Sequence, residues 1–145
     1  MNQNDARWNA VAGIFNKANF ISHLGMKLAE VGEGSCSVEL VTDERHLQQH
    51  GFVHAGVVAT LADHAAGGAA RSTIPDGSDV ITIEFKINFL RPAPAGRLVG
   101  KARVLRSGRT VIVAETEVLS GETLVSKLTS TLAVIPDKQG LAVRD

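Results

Sequence analysis

The stretch from His46 to Asp63, HLQQHGFVHAGVVATLAD, gathers the residues whose types and spacing suit chemistry. His54-Ala55-Gly56 stands where an irregular segment turns into a helical pattern. The first turn of any helix offers unpaired backbone N–H groups and a partial positive charge. Small residues there let a carbonyl oxygen approach closely enough for its developing charge to be stabilised. Asp63 falls in the middle of the apolar helix that follows, between Ala62 and Ala65. A carboxylate there is costly unless it is paired or faces a cavity or an interface. Gln48 and Gln49 precede the turn and suit the orientation of a water or a substrate amide. Pattern alone also admits plainer readings. Asp63 and His64 fit a solvated stripe, and the His54 ring fits a helix cap. His46, His50 and His54 recur every four residues, yet Gly51 interrupts them in a segment that reads as loop, so no metal-binding face is expected.

Two helices and a set of long strands must position these groups. Trp8, Val11, Ala12 and Phe15 mark one apolar face of a helix over about residues 5–18, with Asp5 as its cap. Phe20–Leu24 reads as a connector, Gly25–Ala29 as a short strand and Ser35–Val41 as a half-buried strand. The central helix, about residues 54–72, is apolar around most of its circumference and built mainly of Ala and Gly, so neighbours can approach it closely. Gly67 and Gly68 each cost about 1 kcal/mol against Ala, which close packing would offset. After Pro75-Asp76-Gly77 comes a meander of long strands. In the first, Ile81, Ile83, Phe85, Ile87 and Phe89 alternate with Thr82, Glu84, Lys86 and Asn88. Arg97–Arg106, Thr110–Leu119 and Glu122–Ile135 follow, joined by turns at Ser107-Gly108-Arg109 and Ser120-Gly121. Strands segregated from helices indicate an α+β fold with an antiparallel sheet. Strands this long can curl around the small-residue helix, which is the hot-dog architecture.

Composition narrows the function. The 145 residues suit one domain, residues 1–145, and 15 basic residues balance 15 acidic ones. Zero net charge argues against general nucleic-acid binding and permits self-association. The single cysteine, Cys36, rules out an internal disulfide framework. MNQNDARWNAV has neither a basic start nor an apolar core, and His54, Asp63 and His64 interrupt the least polar stretch, so a cytoplasmic protein with no membrane partner is expected. No G-x-S-x-G elbow is present, which argues against a serine hydrolase.

The combination H-x-G-x₆-D from His54, followed by T-x-E-x-K-x-N-F-L-x-P at Thr82–Pro92, resembles the PaaI-like hot-dog acyl-CoA thioesterases. The likeness runs from about Phe20 to Ile135. The family usually reads H-G-G where this chain has His54-Ala55-Gly56, and the residue after the His supplies the N–H that polarises the thioester carbonyl. That position is Ala55, whose methyl narrows the approach while the N–H survives. The resemblance implies Asp63 as the catalytic carboxylate, with Gln48 and Thr82 helping to place the water or the carbonyl. It implies that Arg91, Arg106 and Arg109 hold the coenzyme A phosphates. It implies no further cofactor and no metal. It also implies a homodimer or homotetramer in which the carboxylate of one subunit faces the helix N-terminus of the other. Asp63 acting as general base or forming an anhydride are both compatible with the residues. A non-catalytic acyl-CoA-binding protein and an acyl-thioester hydratase or dehydratase are the competing readings on the same fold.

Overall fold

In a computed structural model, residues 5–136 are described. Helices α1 (Ala6–Phe15) and α2 (Asn19–Leu24) precede strands β1 (Lys27–Gly32) and β2 (Ser35–Val41). A short 3-10 turn at Glu44–His46 leads to α3 (Ala55–Arg71). Then come β3 (Ser78–Phe89), β4 (Arg97–Ser107), β5 (Val111–Ser120) and β6 (Thr123–Pro136). All six strands form one antiparallel sheet with α3 packed against it, as the expected α+β hot-dog fold requires.

The expected elements form close to their expected ends, with informative departures. Asp5 caps α1, its side chain accepting from the Arg7 N–H at 2.8 Å. The expected connector at Phe20–Leu24 is instead helix α2. Six residues are too few to display a helical apolar period, and the one visible signal was its terminator, Gly25, left-handed at φ 78°. The meander is also incomplete. The strand order is β1-β2-β4-β5-β6-β3, so β3 pairs with β6 at one edge and β4 pairs with β2. The link between β3 and β4 carries Pro92 and Pro94, which suits a crossover rather than a tight hairpin.

The core lies between α3 and the concave face of the sheet. Leu61, Ala62, Ala65, Ala66, Ala69 and Ala70 of α3 are fully buried, and they meet Val38, Leu98, Ile112 and Leu128 from the strands. The close approach has a visible cause at two glycines. A Cβ on Gly68 would come 2.6 Å from Cys36 Sγ, and one on Gly100 would come 3.2 Å from the Leu61 carbonyl oxygen. Gly67 behaves differently. A Cβ there would meet nothing within 4 Å, because this residue borders a cleft instead of the sheet. Among the described residues, no helix is long and apolar enough to cross a membrane.

Candidate active site

Two clefts hold the candidate residues, and α3 runs between them. The larger, about 650 Å³, surrounds the start of α3 and contains Gln48, His54, Ala55, Phe89 and Arg91. The smaller, about 140 Å³, lies beside the middle of α3 and contains Asp63, His64, Arg71 and Thr82. Asp63 follows Ala55 by eight positions, which is about 12 Å along a helix axis. Within one chain, the structure therefore brings Gln48 to Ala55 and Thr82 to Asp63, and keeps the two pairs apart.

At the helix start, His54 is the cap. Its extended backbone (φ −58°, ψ 137°) precedes α3, and its Nδ1 accepts from the Gly56 N–H at 2.8 Å. The Gly56 donor is thus used internally. Among the described residues nothing accepts from the Ala55 N–H, which lies at the first helical position. A donor at a helix N-terminus favours a partly negative oxygen. The Gln48 side-chain oxygen accepts from the His50 N–H, and both residues line the cleft. His46, the first of the spaced histidines, is buried and structural. Its Nδ1 accepts from the Asp43 N–H at 2.9 Å and its Nε2 donates to the Leu24 carbonyl at 2.7 Å, a pattern only the neutral ring can make.

Around Asp63 the setting is drier. Its Oδ1 accepts from Thr82 Oγ1 at 2.9 Å, and burial raises its pKa while that hydrogen bond pulls it back. Strict alternation along β3 turns Thr82 away from Phe85, Ile87 and Phe89. The structure instead places Thr82 opposite buried Leu132 and Phe85 opposite buried Ser130, so both face the helix. A β-bulge between Thr82 and Glu84 absorbs the extra residue, Ile83, and turns the hydroxyl toward Asp63. Sequence periodicity carries no mark of such a bulge.

Two residues of this cleft were not singled out from sequence as site residues. His64 stands edge-on to Phe15, with ring centroids 4.5 Å apart, and burial pushes its pKa down to about 4. Arg71 is buried, with Nη1 donating to the Ile74 carbonyl at 3.2 Å. The available signal was helical spacing: Arg71 follows His64 by seven residues, two turns along one face. Of the arginines expected to bind phosphates, Arg91 lines the larger cleft and donates to the Leu124 carbonyl at 2.7 Å. Arg106 and Arg109 are exposed at the β4–β5 turn and line neither cleft.

Comparison with known proteins places this arrangement. Residues 50–127 match the thioesterase superfamily. A Saccharolobus solfataricus protein, whose name marks it a candidate esterase, is 38% identical over 109 residues, 74% of this chain and 77% of that one. The 1,4-dihydroxy-2-naphthoyl-CoA hydrolase of Listeria monocytogenes is 33% identical over 96 residues, 66% of this chain and 77% of its own. The crystal structure of a thioesterase family protein from Silicibacter pomeroyi superposes with a TM-score of 0.88 at 32% identity, covering 90% of this chain and 99% of that one. A sequence match over just over half of the chain, and a fold shared nearly end to end, lead to one conclusion: the chain belongs to the thioesterase superfamily, on the hot-dog fold of its PaaI-like members, and its chemistry is that of acyl thioester hydrolysis.

Proposed function

We propose that the protein hydrolyses acyl-CoA thioesters at sites assembled between two subunits, with Asp63 of one subunit facing the Ala55 N–H of another. The observation that carries this reading is the separation of the two half-sites. Asp63 with Thr82, and Ala55 with Gln48, open into different clefts of the same chain. Neither half holds both a base and an oxyanion donor, so pairing two copies is the simplest way to unite them. The edge strand supports such pairing. Among the described residues β3 has no strand neighbour on one side, and it leaves Ile81, Ile83, Phe85 and Phe89 exposed, a hazardous edge for a lone chain.

In this reading Asp63, its pKa raised by burial, takes a proton from water as the water oxygen bonds to the thioester carbon. The carbonyl oxygen becomes an oxyanion and is held by the Ala55 N–H at the positive end of α3. Collapse of that intermediate breaks the carbon–sulfur bond, and the proton on Asp63 passes to the departing thiolate. Thr82 fixes the carboxylate, while Gln48 orients the carbonyl or the water. His54 and Gly56 act one step away, by capping the helix that presents Ala55. Arg91, with Arg106 and Arg109 reaching from an exposed turn, supplies cations for the phosphates of coenzyme A. The Listeria relative named for a CoA thioester supports this choice of carrier.

Thiol release from a panel of aromatic and aliphatic acyl-CoA esters, with Asp63→Asn in parallel, tests the proposal. Release by the wild type that is lost in the variant supports it. Binding of the esters without release by the wild type would leave a non-catalytic acyl-CoA-binding protein instead.

A further inference from the structure

We infer that α1 closes the far end of the Asp63 cleft and limits the acyl group to about one six-membered ring or a chain of about six carbons. The inference deepens the proposed function and rests on Asp63 being its base. Three observations carry it. First, the cleft that holds Asp63 and Thr82 continues onto an apolar wall made by Val11, Ile14 and Phe15 of α1. An acyl carbon held near Asp63 would have its tail directed along that wall. Second, the space measures about 140 Å³. A cavity of about 150 Å³ takes a benzene ring, and here the α1 end is apolar while Asp63, His64, Arg71, Asp79 and Thr82 make much of the rest of the lining. Third, the wall is rigid. Val11 and Phe15 are buried in the core, Phe15 stacks edge-on against His64, and Val11 Cγ1 lies 3.4 Å from where a Gly68 Cβ would stand.

Two positions then set the acyl size in opposite directions. Phe15 and its half-buried neighbour Ile14 form the stop. Gly67 keeps the cleft open, since a side chain there would project into unoccupied space. The wall comes from α1, outside the 50–127 segment that matches the superfamily.

The test measures the affinity of non-hydrolysable acyl-CoA thioethers by calorimetry, alongside kcat/KM on the matching esters. Two-carbon, six-carbon, benzyl and ten-carbon groups are compared on wild type, Ile14→Ala, Phe15→Ala and Gly67→Leu. Wild type is expected to favour the benzyl and six-carbon groups over the ten-carbon one by roughly tenfold. Ile14→Ala and Phe15→Ala should recover most of that roughly tenfold loss for the ten-carbon group. Gly67→Leu should weaken the benzyl and six-carbon groups by a similar factor and the two-carbon group less, so that the ranking shifts toward the smallest group. Should Phe15→Ala fail to fold, Ile14→Ala and Gly67→Leu still decide the matter, because neither empties the core. An unchanged size ranking across the folded variants overturns the inference, whatever happens to turnover. A shifted ranking together with full activity of Asp63→Asn would keep the acyl site and remove Asp63 as the base.

Discussion

The Asp63 carboxylate lies in a half-buried cleft with the Thr82 hydroxyl 2.9 Å from Oδ1, and burial raises its pKa above the usual 3.8. A group whose folded pKa is raised stabilises the fold fully below its unfolded value, and that contribution is lost as pH rises through the folded value. Once ionised, Asp63 therefore weakens the fold that it serves. Asp63→Asn should lower kcat by about 10²–10⁴-fold and raise Tm at pH 7, measured by thiol release and thermal melting. In wild type, kcat/KM should fall as pH drops through the raised Asp63 value. Thr82→Val removes the hydrogen bond that holds this value down, so the acid limb of the profile should move to higher pH. His64 contributes with the opposite sign. Its pKa is lowered to about 4, so its contribution is intact above about 6.5 and lost as pH falls from there toward 4. Stability should drop by on the order of 3 kcal/mol across that window, and His64→Leu should remove the slope. Denaturant titrations in the Asp63→Asn background keep the neighbouring carboxylate out of the comparison.

Helix α3 solves two packing problems with adjacent glycines. At Gly68 a methyl group would sit 2.6 Å from Cys36 Sγ, whereas at Gly67 it would meet nothing within 4 Å. Replacing an interior helix glycine by alanine gains about 1 kcal/mol in propensity, but forcing an atom into a packed core costs about 1–3 kcal/mol. Gly67→Ala should thus raise Tm by roughly 3 °C, and Gly68→Ala should lower it. Equal shifts in thermal melts would contradict the packing described for α3. The helix start makes a second test possible. Ala55 occupies the first helical position, where proline is tolerated, and His54 already has the extended backbone that a following proline requires. Ala55→Pro deletes the one N–H proposed to hold the oxyanion and leaves α3 intact.

At the scale of the molecule, the β3 edge and two half-sites remain unmatched among the described residues of a single chain. Mixed subunits separate a shared site from an internal one. Asp63→Asn and Ala55→Pro each disable every site of their own homodimers. Co-expressed, they form hybrids with one restored site, and random pairing predicts about a quarter of wild-type activity. No recovery, with hybrids present by mass spectrometry, would place the site within one chain. Sedimentation should show Ile83→Lys weakening self-association, since Ile83 is 59% exposed on the edge strand and so contributes little to the chain's own core.

Much of this protein was legible from local pattern. The small-residue helix, the capped start at His54, the long strands and the H-x-G-x₆-D spacing are properties of neighbouring residues, and backbone geometry translates them directly into elements. The sequence by itself thus determined the α+β class and most element types and pointed to Asp63, Gln48 and Ala55, with Thr82 added by the family resemblance. It did not determine which residues meet. Short α2 had too few residues to show a period, and β3 crossed to β6 because pairing depends on chain segments far apart in sequence. The bulge at Ile83 reversed the facing that simple alternation assigned to Thr82, and only the tertiary structure brought that hydroxyl to Asp63. The same structure divided the candidate residues between two clefts, since a straight helix of this length holds its first turn and its middle on separate surfaces.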